Sequence, residues 1–130
     1  MTRIALSALA TFFISNIGNT VYYALTADWN RLSFTRDEPL IALFVVHHVL
    51  YASLVAGLYP RFRRSGSWLE AAAFGWYTGT LAFLPNALVV RAAWEVPIDG
   101  AFVSNTLFAL AIGAIAGVVV AAIQGRQPAT

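Results

Sequence analysis

The chain has 130 residues, of which 59% are apolar and only 11% charged, with a net charge of +2 and no cysteine. Soluble domains carry roughly one charged residue in four, so water is not the main solvent of this chain. The absence of cysteine excludes disulfides, thiolate metal sites, c-type haem attachment and cysteine nucleophiles. The basic residues are all arginine and gather at the ends of apolar runs, which excludes a nucleic-acid-binding face.

A hydrocarbon layer takes about 20 apolar residues per helical crossing, and four runs reach that length: 4–25, 39–59, 68–94 and 101–124. Their apolar character is continuous rather than alternating, and the chain is too short for a barrel of about eight strands. The expected fold class is all-α: a four-transmembrane-helix antiparallel bundle, with 1–130 forming a single integral membrane domain. The first run follows Arg3 and starts like a signal peptide, yet it continues to Leu25. That is longer than a cleaved apolar region, so the helix is expected to be retained.

The next connection, 26–38, is polar, and Pro39 stands where a helix starts, with Asp37 and Glu38 beside its positive end. Pro60 is expected to close the second helix, ahead of a basic turn over 60–67. Trp68 opens the third, and a tight turn over 95–100, containing Pro97, leads into the fourth. One side then groups Arg3, Arg61, Arg63, Arg64 and Arg126 with Glu70. The other groups Arg31, Arg36 and Arg91 with Asp28, Asp37, Glu38, Glu95 and Asp99. Positive charge stays cytoplasmic, so both termini are expected in the cytoplasm and the protein in a bacterial inner membrane. Trp29, Trp68, Trp94, Tyr22, Tyr23 and Tyr59 fall near run ends, as interfacial anchors do, and Trp76 lies well inside the third helix.

Small residues recur four apart in every run, a spacing that follows one side of a helix. The ridges are Ser7, Thr11, Ser15, Asn19; His48, Ala52, Ala56; Ala71, Gly75, Gly79 with Asn86 seven further on; and Asn105, Ala109, Gly113, Gly117, Ala121. In lipid, helices associate through such ridges because apolar burial gains little there. Each ridge ends at a polar residue in its outer half. Two readings follow: the amides and the imidazole bond across helices as packing glue, or they line a cavity opening outward. The cavity candidates are Asn19, His48, Asn86 and Asn105, with Asn16 expected against a protein neighbour and Pro85 shaping the wall by freeing the Leu81 carbonyl and kinking the helix.

His47 and His48 are consecutive, so their rings point about 100° apart and cannot share one metal; no metal site is expected. A neutral, hydrogen-bonded imidazole is the plain reading, and haem or chlorin ligation by His47 or His48, or a proton relay, is the alternative. Arg91 either snorkels to the interface or gives the cavity a positive lip. No carboxylate lies deep in a run, and no triad, His-Glu-x-x-His, phosphate loop or paired-acid motif is recognisable. No catalytic residue and no cofactor are therefore expected, and an enzyme is disfavoured.

Asp28 and Trp29 in a polar first connection, the stretch GWYTGTLAFLPNALVVRAAW over 75–94, Pro97, and a last helix with Gly113 and Gly117 together give a layout. It resembles small bacterial four-helix integral membrane proteins classed as domains of unknown function. The resemblance implies the fold and lends no chemistry.

The expected function is binding or passage of a small molecule through an outward-facing polar cavity, without catalysis. The alternative is an accessory or assembly subunit of a larger membrane complex. The lipid bilayer is the expected partner, and Ala52, Ser53, Ala56 and Gly57 form a face for a homodimer.

Overall fold

The computed structural model of the chain describes residues 2–30, 41–93 and 97–125, the side chains of 27–30 excepted. The Pro39 helix start, the turn at 95–96, the charges assigned to Asp28, Arg31, Arg36, Asp37, Glu38, Glu95 and Arg126, and the anchors Trp29 and Trp94 lie outside this description. Within it the fold is all-α: α1 (Thr2–Asn30), α2 (Ile41–Phe62), α3 (Trp68–Ala93) and α4 (Gly100–Gln124). Two boundaries differ from expectation. The first helix runs past Leu25 into the polar connection, because nothing between Thr26 and Asn30 is a glycine or proline that would stop it.

The second helix passes Pro60 and ends at Phe62, with Arg63 N–H still donating to the Tyr59 carbonyl at 3.0 Å. Pro60 has no N–H to give the Ala56 carbonyl one turn earlier. Gln124 replaces it: its Nε2 donates to Ala56 O at 2.8 Å and to Ser7 Oγ at 2.7 Å. The last turn of α4 thus closes a polar gap in α2.

Three helices, α1 over Thr2–Thr26, α2 and α4, are long and apolar enough to cross a membrane. The fourth is long enough, since 26 residues make about 39 Å at 1.5 Å per residue, but its Trp, Tyr, Thr, Gly, Pro and Asn lower its hydropathy. The outward faces are apolar to an extent water does not tolerate: Leu25 is 78% exposed, Leu69 81% and Leu81 72%. This is the build of a membrane protein.

The small-residue ridges are the buried faces. Ser7, Thr11 and Ser15 of α1, His48, Ala52 and Ala56 of α2, Ala71, Gly75 and Gly79 of α3, and Gly113, Gly117 and Ala121 of α4 are all buried. The tightest approach joins α3 to α4. A Cβ placed on Gly75 would run into the Gly113 carbonyl oxygen, one on Gly117 into that of Ala71, and one on Gly79 would lie 2.8 Å from the Ala109 oxygen. Residue number rises along α3 as it falls along α4. The same holds for α1 and α4, where Gln124 meets Ser7 and Tyr22 meets Ser104.

Toward the end that carries Arg63 and Gln124, called here the basic end, Tyr51, Val55, Tyr59, Ala71, Val120 and Ala121 form the apolar core, with Phe74 against it. Tyr59 is therefore no interfacial anchor; it is the largest fully buried side chain, and its ring meets Phe74 edge-on at 5.5 Å. Ala52 and Ala56 are likewise buried in the bundle, which leaves only Ser53 and Gly57 of the expected dimer face outward. The α2–α3 turn is fixed by Glu70. Its carboxylate accepts from Arg64 N–H at 2.6 Å, Ser65 N–H at 2.5 Å and Ser65 Oγ–H at 2.7 Å, while its own N–H donates to Ser67 Oγ at 3.0 Å. Gly66, at φ +66°, supplies the left-handed residue this turn requires.

Gly75→Ala or Gly117→Ala therefore lowers stability by about 1–3 kcal/mol in a reversible detergent-unfolding titration. Gly57→Ala, which meets nothing within 4 Å, is neutral or gains up to about 1 kcal/mol; equal losses at all three sites would refute the ridge packing. At the surface turn, the hydrogen bonds from Ser65 and Arg64 hold the Glu70 carboxyl down at about 2. A depressed folded value means the turn's stabilisation is complete above the ordinary carboxylate range and is lost as pH falls toward 2. A carboxyl-carbon NMR titration should place the Glu70 midpoint well below 4.5 and move it upward in Ser65→Ala; a midpoint at the ordinary value in both proteins speaks against the turn.

Candidate functional site

Away from the basic end the helices leave a cavity of about 90 Å³ to which all four contribute. A water needs about 10–15 Å³ by this measure, so the space suits several waters or a small organic group. Its first wall is α1, through Ser15 and Asn19, and its second is α2, through His47, His48 and Tyr51. The opposite side is made of Gly79, Ala82 and Phe83 from α3 and Ala109 and Ile112 from α4. Hydrogen-bonding groups thus line one side and small or apolar groups the other. The small residues that let α3 approach α4 also keep their shared wall flat, which is why room remains in front of it.

On α1 the polar side chains are oriented by their own helix. Ser15 Oγ donates to Phe12 O at 3.1 Å, Asn19 Nδ2 to Ser15 O at 2.7 Å and Asn16 Nδ2 to Phe12 O at 2.9 Å. The Asn19 amide oxygen takes no part in these bonds. His48 is 6% exposed, and its Nδ1 is enclosed without a hydrogen-bond partner. Among the described residues, none of the lining side chains is Asp, Glu, Lys or Arg.

Of the residues expected at this site, Asn19 and His48 come together, and the others do not. Asn86 and Pro85 are exposed on α3, while Asn16 and Asn105 are half-buried outside the lining. The α3 helix continues unbroken through Pro85. Asn86 is displaced for a geometric reason. The face of α3 that packs on α4 follows a four-residue row, so burial passes from Ala71, Gly75 and Gly79 to Ala87; this row winds round the helix and leaves the residue seven beyond Gly79 behind it, out of contact. Ser15, Tyr51, Ala82 and Phe83 were missed. The signal for the first two was available: they lie one turn from Asn19 and His48 on the same helix sides.

Arg91 does not line the cavity. Its Nε donates to Pro97 O at 3.1 Å and its Nη1 to Ala87 O at 3.2 Å, with the guanidinium 4.2 Å above the Phe102 ring. It clasps the α3–α4 turn. The His47 and His48 rings meet edge to face at 5.1 Å and 76°, and among the described residues no three His, Cys, Asp or Glu are grouped to hold a metal. A macrocycle does not fit within about 90 Å³.

The chain matches no protein-family model, no curated protein and no solved structure. The roles of these residues are argued from their geometry alone.

Proposed function

We propose that this is a four-helix antiparallel bundle of the bacterial inner membrane, with both termini cytoplasmic, that binds or passes a small uncharged molecule without transforming it. The orientation is supported by Arg3, Arg61, Arg63 and Arg64 at the end where Gln124 meets Ser7 and Ala56, the pattern that cytoplasmic retention of positive charge produces. With the third helix counted as a crossing alongside the three apolar ones, the even number returns the chain to its starting side.

The observation that carries the functional reading is the cavity's division of labour. Asn19 and His48 place polar side chains on one wall, and Gly79, Ala82 and Ala109 supply space on the other. Polar groups inside a membrane bundle are unfavourable unless paired, and the uncommitted His48 and Asn19 groups find their partner in a ligand or in the water it displaces. Among the described residues the lining offers no carboxylate, and the chain has no cysteine, which supports binding over catalysis.

The test is native mass spectrometry of protein released gently from its own membrane. A bound small molecule is expected on the unmodified chain, lost in the combined variant His48→Leu and Ala109→Leu, whose helical circular dichroism is retained. A folded variant that still carries the molecule, or an unmodified chain that carries none, would remove this reading.

A further inference from the structure

The cavity is closed on some sides and not on others. Where α1 meets α4, Tyr22 Oη and Ser104 Oγ are 2.7 Å apart and the Tyr22 ring stacks on Phe108 at 4.2 Å. Where α3 meets α4, the glycine row and the Arg91 clasp hold the helices together. Between α2 and α3 the ring contacts are those of Tyr59 and Phe62 with Phe74, at 5.5 and 5.9 Å, and both lie at the basic end. Beyond them α2 keeps His48, Tyr51, Ala52 and Val55 buried, and only past His48 does it turn outward, every residue from 41 to 47 being exposed. The cavity-lining residues that are themselves exposed are His47 and Ala82, one from each of these two helices. Asn86, one turn beyond Ala82 and Phe83 on the same side of α3, is exposed as well.

The depth of this opening decides what it faces. His47 lies six residues into α2, about 9 Å along the axis, and Ala82 eleven residues from the end of α3, about 16 Å. An opening between them sits below the headgroups, at the level of the acyl chains of a layer about 30 Å thick. We infer that the cavity opens sideways into the bilayer between α2 and α3, and that its ligand is a lipid-dissolved amphiphile. The uncharged hydrogen-bonding end of that molecule meets His48 and Asn19, while its hydrocarbon part lies in the α2–α3 gap past Ala82 and His47. The class follows from the walls: an apolar entrance, an interior with the Asn19 and His48 side chains, and no Asp, Glu, Lys or Arg among the described lining residues. This inference rests on the binding role proposed for the cavity and adds the direction of entry and the chemistry of the ligand.

The full chain, reconstituted in phosphatidylcholine vesicles with a diazirine-bearing long-chain alcohol and photolysed, gives the test. Labelling is expected on interior lining residues such as Ser15 and Ile112 as well as on outward positions such as Leu50 and Leu81. Ala82→Trp, which narrows the gap, should cut interior labelling several-fold and leave outward labelling unchanged, and a diazirine probe of the same length ending in a carboxylate should label the interior several-fold less. Label confined to outward residues, an Ala82→Trp variant labelled like the parent, or a carboxylate that labels equally well would each overturn the inference. The parent chain has no cysteine, so Asn19→Cys separates this failure from that of the cavity itself. If the interior takes no lipid probe but Asn19→Cys reacts with a water-soluble maleimide, the cavity stands and opens to water. If neither reagent reaches it, the binding role fails too. Interior labelling by the alcohol supports sideways entry whether or not the maleimide also reacts.

Discussion

The backbone contact between α3 and α4 governs the rest of the arrangement. Lipid offers helices little reason to associate through apolar burial, so the chain relies on removing side chains where two backbones meet. Gly75, Gly79, Gly113 and Gly117 let carbonyl oxygens of one helix touch α-carbons of the other, a geometry in which weak Cα–H···O contacts and dense van der Waals packing add together. The wall that results is flat, and α1 and α2 approach it with hydroxyls, an amide and an imidazole. A bulkier α3–α4 seam would push this wall outward and fill the space that Ser15, Asn19 and His48 now line.

Polar groups in the bundle are settled mostly within their own helices. Thr26, Thr80 and Thr106 return their hydroxyls to the carbonyl four residues back, and Asn16 and Asn19 do so with their amides. Few bonds cross between helices, and these are concentrated: Gln124 to Ser7 and Ala56, Arg63 Nη1 to Gly125 O at 2.9 Å, and Tyr22 with Ser104. The first two fasten the basic end. The bundle is consequently tight where Tyr59, Val55 and Val120 are fully buried and looser where α2 carries His47 and His48. A binding site placed in the looser half can admit a guest without disturbing the core.

Much of this was legible in the residues. Run lengths gave the helices to within a few positions, and the four-residue spacing of small side chains identified the buried face of each, including the His48, Ala52, Ala56 row. Local spacing is what a sequence records, so features set by spacing were readable. Asn86 was misjudged because spacing alone does not say whether a contact row follows four residues or seven; that depends on the crossing of two helices, which is a tertiary property. Tyr59 looked like an anchor because its position in the run is visible and the presence of Phe74 beside it is not. The partner of the carbonyl freed by Pro60 lies 68 residues away, at Gln124, beyond any local pattern. The sideways opening inferred between α2 and α3 was illegible for a similar reason, since it depends on how the two helices lie beyond their Tyr59, Phe62 and Phe74 contacts.

The close glycine approach can be measured without altering the chain. In lipid bilayers, solid-state NMR of protein carrying ¹³C-labelled glycine should give inter-residue cross-peaks joining Gly75 to Gly117 and Gly79 to Gly113. Their absence, with sequential signals of the same glycines well resolved, would mean that α3 and α4 do not meet backbone to backbone, and the cavity wall built on that meeting would go with it.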